Sequence, residues 1–206
     1  LASQFGAGDT LDIYYAAFRV PDLIYNLLIL GALSAAFIPV FTGLLAREEK
    51  KEAWELVNVF LTTALLFLIV LTIILAIFAP YLMKVVTPGF SDEKFREVVT
   101  LTRIMFLSPI FLGISGIFGG ILNSFKRFLI YSLAPIMYNL GIIFGAVFLI
   151  KPFGIAGLAW GVAIGAFFHM AIQYPNVKMV GMKYFPRLSF RDKNLRRVIT
   201  LMIPRT

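Results

Sequence analysis

Residues 12–41 read DIYYAAFRVPDLIYNLLILGALSAAFIPVF. The run is long and apolar enough to cross a bilayer as helix, which takes about 20 residues, yet it holds Asp12, Arg19, Asp22 and Asn26. At about 100° per residue, these residues and Tyr15 project within a sector of about 80°, so a helix here carries one polar stripe and is apolar elsewhere. An ionisable group at the bilayer centre costs roughly 2.5 to 3.5 kcal/mol on insertion scales, and such groups face a bundle interior or a hydrated cavity. The stripe is therefore expected to face protein or water, not lipid. Pro21 lies within it and lacks an N–H, which frees the carbonyl of Ala17 and bends the helix unless a neighbour, side chain or water satisfies the freed group. A bent, polar-faced helix suits a cavity wall. The plainer alternative is an ion pair of Arg19 with Asp22, three residues on, that only fixes helix packing.

The rest of the chain has the same solvent in mind. Hydrophobic residues make up 60% of it and charged residues only 15%, where soluble domains hold roughly a quarter charged; mean hydropathy is +0.88. The composition reads as an all-α integral membrane protein, a polytopic transmembrane helix bundle. Spans are expected near 11–46, 56–83, 98–125, 128–150 and 153–175, after the end of an earlier helix and before a basic loop at 176–193 and the start of another helix at 194–206. The chain opens on LASQFGAG and closes on RRVITLMIPRT, where an apolar stretch has just begun; both ends read as those of a piece of a longer chain, and no cleavable signal is expected. Cysteine is absent, which excludes disulfides and Cys-ligated metals.

Lys and Arg set the orientation. Arg47, Lys50 and Lys51, then Lys126 and Arg127, then seven more between Lys178 and Arg197 fall on one side of the expected bundle. The other side holds Lys84, Lys94, Arg96, Arg103 and Lys151. Short basic loops stay cytoplasmic, so the helix with the stripe runs from outside to inside and the net charge of +8 is mostly a topology signal. No nucleic-acid-reading motif accompanies it, and no nucleic-acid partner is expected.

The connections are short. Lys51 and Glu55 are spaced for an i, i+4 pair. Pro88-Gly89 marks a turn, Ser91 an N-cap with acids in the first helical turn, and Phe95, Val98, Val99 and Thr102 trace one face of the helix that follows. Gly113, Gly116 and Gly120, and again Gly154, Gly157, Gly161 and Gly165, recur at helical spacing, which lets helix backbones approach closely in lipid. His169 stands without a nearby acidic cluster or any Cys and reads as a packed or interfacial histidine. No phosphate loop, nucleophilic triad or metal-ligand spacing occurs. Catalytic residues, metal ligands and cofactors are therefore not expected, and transport is the use left for such a bundle.

GAGDTLDIYYAAFRVPDLIYNLLILGALSAAFIPVF resembles the second helix of the MurJ (MviN) family of lipid II flippases. TPGF at 87–90, GGILNSFKRF at 119–128, LAPIMYN at 133–139, GLAWGVAIG at 157–165 and GMKYFPRLSFRD at 181–192 look like further family landmarks, in order. The resemblance implies one lobe of a two-lobe, MATE-like exporter of the MOP superfamily. It also implies a multi-pass place in the bacterial cytoplasmic membrane and a full-length protein acting as a monomer among membrane lipids. The cargo it implies is lipid II, the undecaprenyl-pyrophosphate-linked disaccharide-pentapeptide, moved to the outer leaflet for cell-wall synthesis. Asp12 and Arg19 fall where the family has an acid and a basic residue. With Asp22 and Asn26 they are the candidate substrate-binding residues. Tyr25, Asn26 and Leu30 stand where many members carry two arginines and a Glu. Two other readings are a superfamily relative exporting other lipid-linked sugars or drugs, and a non-transporting scaffold.

Overall fold

The computed structural model describes residues 8–27 and 36–202. The end of an earlier helix expected before residue 8, the middle of the 11–46 span and the last four positions of the chain lie outside the described residues. The helices are α1 (Asp9–Ile24), α2 (Ile38–Ala46), α3 (Lys50–Val86), α4 (Asp92–Met105), α5 (Leu107–Ser124), α6 (Phe128–Phe144), α7 (Ile150–Phe153), α8 (Ala156–Ala171), α9 (Tyr174–Met179) and α10 (Lys193–Met202), with a π-helical turn at Gly145–Leu149 joining α6 to α7. No strand occurs among the described residues.

Among the described residues, four helical stretches are long and apolar enough to cross a membrane: Lys50–Val86, Asp92–Ser124, Phe128–Phe153 and Ala156–Met179. Their most apolar windows are 17%, 67%, 17% and 50% buried respectively, so α4–α5 and α8 form the centre while α3 and α6 present Leu66, Ile73, Ile77, Leu140 and Ile143 outward. Exposed aliphatic surface of that extent suits lipid.

The core has two main parts. One gathers Phe37, Phe41, Leu56, Phe60, Ile117, Ile121 and Leu195 beside the basic turns; Phe37 stacks on both Phe41 and Phe60. The other joins Ala17, Met83, Val98, Met105, Phe106, Leu158 and Val162 at the opposite end.

Prolines within the helices free the carbonyl four residues earlier, and at three of them, Pro21, Pro80 and Pro109, a side chain stands near the freed oxygen. Pro21 frees Ala17 O, which lies 3.4 Å from the buried Thr102 Oγ1. In α3, Pro80 frees Ala76 O, which accepts from Arg103 Nε at 3.0 Å. Pro109 frees Met105 O, which accepts from Ser108 Oγ at 2.7 Å. All three donors come from α4 and the start of α5. The expected continuous span at 98–125 is accordingly two helices joined at Phe106, whose carbonyl accepts from Thr72 Oγ1 at 3.3 Å.

The small residues of α6 and α8 make a seam. A Cβ on Gly141 would stand 2.2 Å from Gly165 Cα, and one on Gly145 would stand 2.5 Å from Gly161 Cα. The backbones touch there, and no larger residue fits without moving a helix.

Residues 182–189 have no regular secondary structure and lie against α3. Phe185 N–H donates to Asn58 Oδ1 at 3.0 Å, Arg187 N–H donates to Thr62 Oγ1 at 3.2 Å, and the hydroxyls of Thr62 and Tyr184 are 3.1 Å apart. Glu55, spaced to pair with Lys51, instead meets Arg187 at 3.6 Å. Ser91 occupies the N-cap of α4, but its hydroxyl makes no capping bond.

Candidate functional site

α1 buries Leu11, Ile13, Tyr14, Ala16, Ala17, Pro21 and Ile24, chiefly against α4. Every member of the polar stripe, Asp12, Tyr15, Arg19, Asp22 and Asn26, is exposed. The 3.6-residue period thus divides the helix into a packed apolar face and a free polar one.

The ion pair that the spacing allows is not formed: no carboxylate of Asp12 or Asp22 lies in ion-pair range of Arg19. Asp22 Oδ2 instead accepts from Asn26 Nδ2 at 3.0 Å, one turn on. Among the described residues, no carboxylate occupies the guanidinium's fork of donors.

Two cavities divide the stripe. Asp12, Tyr15 and Arg19 line the first, of about 320 Å³, with Val86, Thr87 and Phe90 from the end of α3 and the turn beyond it. Thr87 Oγ1 donates to Met83 O at 2.7 Å, so Arg19 is the strongest donor free to meet a ligand there. Asp22 lines the second, of about 280 Å³, between α1, α5, α6 and α8. Its other polar walls are Tyr25, Ser108, Tyr138 and His169. Asn26 reaches the second cavity only through Asp22.

Tyr138, Ser108 and His169 escape a reading of the sequence because they come from three different helices. His169 is packed, as its isolation implies: Nδ1 lies 2.6 Å from Ser115 Oγ. Gln173 Nε2 donates to Ser115 Oγ and, at 3.1 Å, to His169 O. Gln173 is fully buried, and its Oε1 finds no partner among the described residues.

This geometry can bind a ligand; Ser115 Oγ lies beside His169 Nδ1, but it is buried and shared with Gln173. The site offers, in one cavity, a guanidinium without an ion-pair partner among the described residues and, in the next, a carboxylate bonded to Asn26, both on a face the bundle leaves open.

The sequence profile of the family described as "Lipid II flippase MurJ" matches residues 1–206. Among curated proteins, the chain is 32% identical over its whole length to the probable lipid II flippase MurJ of Buchnera aphidicola subsp. Schizaphis graminum (strain Sg), covering 41% of that protein. It is 30% identical over its whole length to the lipid II flippase MurJ of Burkholderia cenocepacia, covering 42%, and 31% identical over 99% of its length to the probable lipid II flippase MurJ of Rhizobium tropici, covering 40%. The chain thus spans about two fifths of the length of these relatives. A solved structure, "Lipid II flippase MurJ, inward closed conformation", superposes with a TM-score of 0.75 at 24% identity over 96% of this chain and 41% of the other, so the chain shares the fold of that part of it. With a profile match from end to end and relatives at 30 to 32% identity, the chain belongs to the lipid II flippase MurJ family.

Proposed function

We propose that this chain is part of a flippase that carries lipid II from the cytoplasmic to the outer leaflet of the bacterial cytoplasmic membrane, and that the free face of α1 lines the cargo's path. The observation that carries this is Arg19: a guanidinium on an exposed face, lining a cavity, with no carboxylate partner among the described residues. A pyrophosphate is recognised by charge-assisted, bidentate bonds of the kind that guanidinium makes best. Asp12, in the same cavity, orients the guanidinium or the sugar hydroxyls of the cargo. Asp22 and Asn26, bonded to each other, form the inner part of the path.

Alternating access moves one bundle against another around a shared site. The described bundle supplies one wall, and the full-length protein, acting as a monomer, supplies the remainder.

The test is Arg19→Gln in the full-length protein, read for membrane abundance, thermal stability and lipid II flipping. An exposed, unpaired side chain contributes within about 0.5 kcal/mol to stability. The variant is therefore expected to be abundant and stable yet to flip poorly. Full flipping by a stable variant would remove Arg19 from the path; lost abundance would return it to a packing role.

A further inference from the structure

The second cavity does a different job from the first. Its lining contains no Lys or Arg, and its one formal charge is Asp22. Asn26 holds Asp22 Oδ2, which fixes the carboxylate and leaves Oδ1 to a ligand. Asp22 is exposed while Pro21 and Ser108 beside it are buried, so the carboxylate stands at the mouth and the floor is closed. Ser108 Oγ is already engaged with Met105 O. The walls are the rings of Phe18, Tyr25 and Tyr138.

A carboxylate at the mouth of an aromatic-walled, cation-free cavity selects a cation by charge pairing and by the negative ring faces. The size decides which cation. A bare metal ion needs a close shell of several oxygen ligands, whereas the cavity of about 280 Å³ holds one carboxylate, and no group of three or more His, Asp or Glu suited to a metal occurs among the described residues. An ammonium on a short alkyl stem fills such a space, with the stem against the rings and the charge at Asp22 Oδ1.

We propose that the Asp22 cavity is a binding site for an alkylammonium group. Resting on the flippase reading, its source is the free amine on the peptide part of the muropeptide cargo, so that Arg19 and Asp22 read the two opposite charges of one molecule.

The first experiment is independent of the cargo. Full-length protein in nanodiscs, carrying 3-fluorotyrosine at position 138, is titrated with Nα-acetyl-lysine methylamide, with its Nε-acetylated form and with sodium chloride at constant ionic strength, following the fluorine resonance. The free amine should give a saturable shift, and the acetylated form and sodium should not. Asp22→Asn should weaken the response about tenfold or more, the scale of a lost charge-assisted bond, whereas Asp22→Glu should retain part of it. Equal responses to the amine and its acetylated form, a saturable response to sodium alone, or an unchanged Asp22→Asn variant would each overturn the ammonium site.

A second experiment addresses the source by comparing lipid II with lipid II acetylated on its peptide amine, and with undecaprenyl pyrophosphate. Preference for the free amine in the wild type, lost in Asp22→Asn, assigns the site to the cargo. If undecaprenyl pyrophosphate and lipid II bind but acetylation changes nothing, the cargo amine is not the ligand, and the flippase reading stands. If neither lipid binds, the flippase reading fails, and the lysine titration alone decides the ammonium site.

Discussion

Thr102 Oγ1 stands 3.4 Å from the carbonyl oxygen of Ala17, across the packed face between α1 and α4, while donating to Val98 O within its own helix at 2.8 Å. One hydroxyl proton is shared between a bond its own helix does not need and a carbonyl that Pro21 has left bare. Thr102→Val keeps the shape and removes the donor. Loss of a partner to a buried acceptor costs roughly 1 to 3 kcal/mol, and the long, shared bond places the expected value near the low end, about 1 kcal/mol. Thermal unfolding of the purified full-length protein should show Thr102→Val melting below wild type and Thr102→Ser close to it. An undiminished melting temperature for the valine variant would mean that water serves Ala17.

The seam between α6 and α8 gives the sharpest steric forecast. Overpacking a core usually costs about 1 to 3 kcal/mol. A Cβ on Gly141 would lie 2.2 Å from backbone, not from a side chain that could turn aside, so Gly141→Ala should reach or exceed the top of that range. Gly43, which has nothing within 4 Å of its notional Cβ, is the control. Detergent-solubilised protein surviving a heating step should fall steeply for Gly141→Ala and hold for Gly43→Ala.

The segment at 182–189 is held by side chains of α3. Removing the acceptor with Asn58→Leu deletes the bond to Phe185 N–H, a net contribution of about 1 kcal/mol. Amide exchange at Phe185 should accelerate about fivefold, with that of the buried α5 residues unchanged. If exchange at Phe185 does not move, the segment is held by its own packing.

Orientation is testable by thiol labelling. Cysteines placed at Arg127 or Arg191 in full-length protein should resist a membrane-impermeant maleimide in intact cells, and one at Lys151 should react. Rapid labelling at position 127 would invert the assignment drawn from the basic loops.

Much of this was legible in the sequence because it depends on neighbours along the chain. The stripe on α1 follows from a period of 3.6 residues, and the need of Ala17 O for a partner follows from the ring of Pro21 four positions on. The partner itself did not follow, since Thr102 is 85 positions away and nothing local marks it. The same distinction separates Glu55 from its expected mate: spacing on one helix points to Lys51, but the folded chain brings Arg187 across from position 187. Hydropathy could not reveal the break at Phe106, because an apolar run from Ile104 to Leu112 continues across it, although α4 as a whole is the more polar helix. The second cavity was hidden for a related reason. Asp22 was visible beside Phe18 and Tyr25, but the ring of Tyr138 that completes the pocket comes from a helix more than a hundred residues later and reads locally as one more apolar-run aromatic.

The backbone contact of Gly141 with Gly165 and of Gly145 with Gly161 also bears on leakage. A transporter that opens a hydrated path through a membrane has to keep protons and ions from slipping sideways between its staves. Where two helices meet main chain to main chain, no file of water and no acyl chain can thread the gap. That edge of the bundle is caulked, and a bulky amphiphile entering from the bilayer has to come in by another side.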